Sequence, residues 1–286
     1  MPRCADAGCG RWRPERLAPR WATGIRFNDE WYCSRACVES AAREGLDTRA
    51  AVAPVSGGLP PLRLGVLLRH IGVISEAELN EALRSQRTSG RRLGEELLRL
   101  RIVGEPEPIL RALAAQANVA YLTVFDLDRV TRGPSWLPAP TVRALGLVPF
   151  EMDVRQRKLK VVCTAPVSRT ALGAVLKLTG WTAEPYLVED DVWKLAMDAY
   201  RPADASDTES TGQAQTVRDV EAVVAHVADT AQTSRAITMR SARCDHHTLI
   251  RVEGPRLVSD LLVEHTDART ARAAARWPVS SLSIRH

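Results

Sequence analysis

The chain writes one helical phrase twice. "RLGVLLRHIGVISEAELNEALRSQ" runs from Arg63 to Gln86, and "RLGEELLRLRIVGEPEPILRALAAQ" restarts it at Arg92, 29 positions after the first start. In the first copy Leu64, Leu67, Leu68, Ile71, Leu79 and Leu83 recur at three- and four-residue steps, which predicts amphipathic helix. Gly72 falls where a first helix would stop. Ser75 and Glu78 then have the S-x-x-E spacing of a capping box, which starts a second helix running to about Gln86. Each copy therefore reads as a helix-turn-helix pair.

Two stacked helical hairpins sharing a core would account for the leucines. They would not by themselves ask for Arg-Leu-Gly at both starts and Gln at both ends. A glycine inside or opening a helix costs about 1 kcal/mol relative to alanine, so a repeated one suggests close approach by something. Helix N-termini with an arginine beside them suit phosphate. Given twice, they suit a ligand with two similar halves.

The pattern R-L-G-x-x-apolar-apolar-x-x-G-apolar-apolar-x4-L-x3-L-x2-Q, written twice with a five-residue spacer, resembles the MshE N-terminal (MshEN) domain. That domain opens the ATPases of type II secretion and type IV pilus assembly. The resemblance implies that the ligand is cyclic di-GMP, a two-fold dinucleotide, with one motif holding each half. On that pattern the first copy supplies Arg63, Leu64, Gly65, Leu68, Gly72, Val73, Leu79, Leu83 and Gln86, with Ile74 also in place and Arg69 standing where an apolar residue is expected. The second supplies Arg92, Leu93, Gly94, Leu97, Leu98, Ile102 and Gln116, with Val103 also matching. It departs at Arg101, which replaces the expected glycine, and at "GEPEP", whose extra residue must be skipped before Ile109, Leu113 and Gln116 align. An altered turn there would displace the second helix and weaken that half-site.

The likeness continues through "LKVVCTA", read as a buried strand, "SRTALGAVLKLTG", a helix stopped by Gly180, "TAEPYLV", a strand, and "EDDVWKLAMDAY", a helix with acidic residues at its start. Residues 216–264 weakly resemble the small helix-plus-strands subdomain that leads into the secretion ATPase catalytic domain. A phosphate-cradling P-loop needs G-x4-G-K-[ST], and no Gly-Lys pair occurs in the chain, so ATP hydrolysis is not expected. Nor is there H-E-x-x-H, G-x-S-x-G or G-x-G-x-x-G, and the expectation is a protein that is not an enzyme. "CDHH" (Cys244 to His247) reads as an exposed turn or strand rather than a metal site, because adjacent residues of a strand face opposite ways.

Cys4 and Cys9, then Cys33 and Cys37, form two close pairs in a segment with little else to bury, which points to a tetrahedral four-cysteine zinc site. "YCSRAC" resembles the second knuckle of treble-clef fingers; the first pair departs from the usual C-x2-C. Four thiolates leave no open coordination position, so the zinc would be structural. The alternative is four incidental residues in a leader. Cys163 and Cys244 sit in strand-like runs and read as buried small hydrophobes.

Composition enters as a constraint on partners. The net charge of +5 permits an anionic partner, but the 39 basic residues are dispersed rather than gathered in a stripe, so no nucleic acid is expected. No run approaches the roughly 18 apolar residues of a membrane span, and "MPRCADAGCGRWRPER" lacks the apolar core of a signal peptide. The expectation is a cytoplasmic bacterial protein without membrane insertion. It is an α+β multidomain chain: a zinc-finger-like segment at 1–48, a linker at 49–62, tandem helical repeats at 63–117, a mixed α/β part of the same domain at 118–200, a flexible linker at 201–215, a small α+β region at 216–264 and a tail at 265–286. Two functions fit. One is a non-catalytic cyclic di-GMP sensor or adaptor; the other is an interaction scaffold with a degenerate nucleotide site, docking on a secretion or pilus inner-membrane component or ATPase.

Overall fold

The structure, a computed structural model, describes residues 3–11, 24–50, 62–201, 214–217, 220–234, 236–244, 247–255 and 257–264. Most of the linker at 49–62, most of that at 201–215 and the whole tail lie outside these residues. In chain order come β1 (Ile25–Phe27), β2 (Glu30–Tyr32), α1 (Arg35–Ala50), α2 (Leu64–His70), α3 (Glu76–Ser89), α4 (Leu93–Arg99) and α5 (Glu107–Ala117). Then follow β3 (Ala120–Tyr121), α6 (Asp128–Thr131), α7 (Ala139–Leu145), β4 (Val148–Asp153), β5 (Lys158–Cys163), α8 (Arg169–Thr179), β6 (Thr182–Leu187) and α9 (Asp190–Ala199). Last are β7 (Ala214–Val217), α10 (Val220–Ser234), β8 (Ala236–Cys244), β9 (His247–Gly254) and β10 (Leu257–Glu264). The architecture is mixed α+β, in two compact units: Met1–Ala51 with Gln213–His286, and Val52–Gly212.

In the first unit, segments that read as separate along the sequence share one sheet, of order β2-β1-β8-β9-β10-β7. β1 runs parallel to β8, with Phe27 opposite Ile237, and the Asn28 side-chain oxygen accepts from the Met239 N–H at 2.8 Å. The cause is scarcity of core. The N-terminal knuckle is too small to bury itself, so Ile25, Phe27, Tyr32, Val38 and Ala42 join Val223, Val227, Ile237, Met239, Ile250, Val252 and Leu261 in one cluster. α1 and α10 pack together over that cluster, and Arg43 forks onto Glu221 at 3.1 and 2.8 Å. β7 starts at Ala214, two residues inside the span read as linker, and lies parallel to β10. Cys244 is fully buried at the end of β8 opposite His247, while Asp245 and His246 lie outside the described residues.

The second unit holds both helical phrases and a four-stranded sheet of order β3-β6-β5-β4. Ser168 caps α8 by accepting from the Ala171 N–H at 3.1 Å, and Gly180 ends it in the left-handed region at φ 74°. The helix forms over "SRTALGAVLKLTG" as the pattern predicts, and it makes the parallel crossover between β5 and β6. Tyr200 closes the unit by donating its hydroxyl to Leu137 O at 2.6 Å. Cys163 is buried in β5, and burial pushes its thiol up to about 12.

Candidate functional site

The two phrases fold alike through their first helix and turn. α2 and α4 are each seven residues long, preceded by extended Arg63 and Arg92. Ile71 N–H donates to Leu67 O at 3.0 Å, and Leu100 N–H, 29 positions on, donates to Glu96 O at 2.9 Å. Val73 N–H to Leu68 O is matched by Ile102 N–H to Leu97 O, both at 3.0 Å. Gly72 turns the chain at φ 75°, and Arg101, standing where glycine was expected, adopts the same left-handed region at φ 57°. The turn is therefore preserved at the cost of a strained arginine, and the extra residue is absorbed after Val103, before α5. The sequence-level expectation of a displaced turn is corrected on this point. Arg101→Gly is expected to stabilise this unit by about 0.5–1 kcal/mol, since the left-handed form costs a non-glycine residue about 1–2 kcal/mol and glycine's extra unfolded-chain entropy returns part of it. Denaturant melts would check this; a loss of stability would mean that the Arg101 side chain is engaged.

The second helices pack crosswise: α2 lies chiefly on α5 and α4 on α3. A Cβ on Gly65 would meet Leu79 at 2.5 Å and Leu93 at 3.2 Å; one on Gly94 would meet Ile109 at 3.1 Å and Leu64 at 3.9 Å. Gln86 donates to the carbonyl of Arg91 at 2.9 Å, just before the second start, and Gln116 donates to that of Leu62, just before the first. When one copy's start touches the other's end and the converse also holds, the copies are related by a local two-fold rather than stacked by translation. Each repeated glycine makes room first for its own copy's second helix and then for the leucine that opens the other copy, and the repeated glutamines tie each end to the opposite start. Both thus make structural contacts of their own, besides the ligand contacts that the resemblance implies for them.

The motif residues divide by place. Leu68 and Leu97 are fully buried in the shared core, with Leu64, Val73, Leu79, Leu93, Leu98 and Ile102 packed against it; Leu83 is half-buried and Gly72 exposed. One copy-specific feature joins them: Glu96, fully buried, accepts from Ser85 and Ser89 at 2.7 Å each and from Arg99 at 3.0 and 2.8 Å. The Arg99 guanidinium and the two hydroxyls hold its carboxyl down at about 2. This clamps α3 to α4, whereas the first copy has Leu67 at that position.

Arg92, Leu93, Gly94, Leu98 and Gln116 line a cleft of about 1350 Å³ with Leu64, the one first-copy motif residue to reach it. Its far wall comes from residues that the motif does not mark: Ala165 to Val167, Arg169, Glu189 to Asp191 and Lys194. The only sequence signal for these was the acidic start of α9, readable as a helix start alone. Arg92 Nη1 donates to Ala165 O at 3.1 Å and lies 3.6 Å from Asp190 Oδ2. Lys194 pairs with Asp191 at 2.9 Å, which raises its pKa. Arg63, the counterpart of Arg92, is exposed and makes no ion pair or hydrogen bond through its side chain among the described residues.

In the other unit, the sulfurs of Cys4, Cys9, Cys33 and Cys37 lie within 4.8 Å of one another. Cys9 and Cys33 are 3.3 Å apart, and Cys33 and Cys37 3.7 Å. Tetrahedral zinc at about 2.3 Å from each thiolate needs sulfurs roughly 3.8 Å apart, so the cage fits the ion. Cys33 N–H donates to Cys4 Sγ at 3.4 Å and Ser34 Oγ to Cys37 Sγ at 3.3 Å, two donors directed at negative sulfur. Burial pushes the Cys33 and Cys37 thiols up, while the backbone bond from Arg11 lowers Cys9. A divalent cation reverses the effect of burial, because a coordinated thiol is deprotonated outright. The other two cysteines, Cys163 and Cys244, are buried. No helix of the described residues is long and apolar enough to cross a membrane.

No family model matches the chain. Over 140 residues, 49% of its length, the chain is 25% identical to the type IV pilus assembly ATPase PilB of Thermus thermophilus, of which the match covers 16%. A solved structure of MshE with cdg aligns at 28% identity and a TM-score of 0.41, over 49% of this chain and 99% of that one. Half of this chain is thus similar to a small part of a type IV pilus assembly ATPase.

Proposed function

We propose that the unit containing the two helical phrases binds cyclic di-GMP without catalysis, and that the chain acts as a sensor or adaptor of a secretion or pilus system. The observation that carries this is the local two-fold, which sets Arg63 and Arg92 at equivalent places on a two-fold scaffold. These arginines are the motif's charged pair, suited to the two phosphates of a two-fold dinucleotide. The four-cysteine cage would hold a structural zinc in the other unit, and the absence of any Gly-Lys pair supports a role other than ATP hydrolysis.

Calorimetry of the full chain with cyclic di-GMP is expected to show one ligand per chain, and Arg63→Ala to weaken binding roughly tenfold, as loss of one charge-assisted contact does. No heat up to high micromolar ligand would end this reading. A scaffold role is favoured instead by the cleft's charge, where Glu95, Glu189, Asp190 and Asp191 outnumber Arg92, Arg169 and Lys194. Capture of a pilus or secretion inner-membrane component, unchanged by added nucleotide, would support that second reading.

A further inference from the structure

The two arginines that the local two-fold makes equivalent differ in their surroundings. Arg63 is exposed and makes no ion pair among the described residues. Arg92 donates to Ala165 O at 3.1 Å and lies 3.6 Å from Asp190 Oδ2, and Asp190 is the first residue of α9, positioned by that helix at the cleft wall. Both side chains of the pair are about half-exposed, 47% and 52%, so the pair is accessible to an incoming anion and weak enough to be displaced. A phosphate reaching Arg92 competes with the Asp190 carboxylate for that guanidinium, because both are oxyanions drawn to the same positive charge.

We infer that Asp190 is the specificity-determining residue of the second half-site: it occupies Arg92 until a ligand brings a phosphate to that position. This rests on the dinucleotide reading. The first half-site is open to any nucleotide monophosphate, and the second is opened only by a ligand long enough to place a further phosphate at Arg92. A mononucleotide such as GMP therefore engages Arg63 and leaves the Arg92–Asp190 pair closed, while the two-fold dinucleotide exchanges Asp190 for its own second phosphate. Asp190 lowers affinity for the full ligand and leaves that for the half ligand unchanged.

The test is calorimetry of the full chain with cyclic di-GMP and with GMP, using wild type, Asp190→Asn, Glu189→Gln, Arg92→Ala and the Arg92→Ala/Asp190→Asn double variant. Asp190→Asn is expected to tighten cyclic di-GMP about two- to fivefold, the range of an exposed ion pair, and to leave GMP unchanged. The gain should vanish when Arg92 is already alanine, since a coupled pair shows its effect only with both partners present. Glu189→Gln removes the same charge one residue away and should change little. Equal tightening by Glu189→Gln, or a gain that persists in the Arg92→Ala background, would overturn the inference in favour of a general electrostatic field. Wild type that binds cyclic di-GMP, with Asp190→Asn binding it no more tightly, would overturn the inference alone. Failure of wild type and every variant to bind would overturn the dinucleotide reading as well. Thermal melts of Asp190→Asn, expected to lie within a few degrees of wild type, separate ligand effects from loss of the α9 start.

Discussion

Replacing Cys37 by serine, or stripping with a chelator the zinc proposed for the cage, is expected to unfold the whole first unit, including strands about two hundred residues away in sequence. The cage holds β1, β2 and α1, and these supply Phe27, Tyr32, Val38 and Ala42 to the same core as Val227, Ile237 and Ile250. Without them, α10 and β8 lose the cover that α1 and β1 provide. Apparent zinc binding to four-ligand sites of this kind is about 10–16 kcal/mol, comparable with or larger than the roughly 5–15 kcal/mol stability of a whole domain. Hydrogen exchange on the intact chain should show protection collapsing in β8 and β9 together with α1, while α3 and α8 of the other unit keep theirs. Collapse confined to residues 24–50 would show that β8 to β10 stand without the knuckle. Metal analysis of the native chain should find one zinc, and the Cys37→Ser protein less.

Asp260→Ala should cost about 3–5 kcal/mol, the loss typical of breaking a buried ion pair from one side. Arg251 and Asp260 stand opposite each other on β9 and β10, both nearly buried, and meet through a two-pronged contact of 2.7 Å on each arm. Removing the carboxylate leaves a guanidinium in a place from which water is excluded. The double replacement Arg251→Met/Asp260→Leu should recover most of the loss, since an apolar pair of similar volume needs no desolvated charge. Denaturant unfolding of the three proteins would decide: a double variant as unstable as Asp260→Ala would mean that Arg251 is needed for something other than its pairing with Asp260.

Ser75 and Glu78 predicted the start of α3, and the capping box forms as spaced, with Ser75 N–H donating to Glu78 at 2.7 Å. Gly180 predicted the end of α8 equally well, because a cap involves neighbours within one turn. Arg101 misled, since a missing glycine suggests a broken turn. The buried Val103 on the far side of the turn anchors the chain, and the arginine adopts the left-handed region instead. The Gln at each end of the repeat is legible as a pair, but not the carbonyl each one bonds at the opposite start, for Gln116 54 residues away.

By itself the sequence determined the helical hairpins, their starts and stops, the pairing of Arg63 with Arg92 as equivalents, and the four cysteines as a set. Those follow from periodicity, capping and ligand type, each encoded within a few residues or in residue identity. Only the tertiary structure decided that the copies cross by a two-fold, that their glutamines tie that crossing, that their glycines admit the second helix of each copy, and that among the described residues Arg92 but not Arg63 pairs with a carboxylate. It alone joined the N-terminal knuckle to strands near the other end of the chain. The physical reason is common to all four: each depends on backbone segments far apart in sequence burying one another's surface, and local propensity has no information about which distant surface that will be.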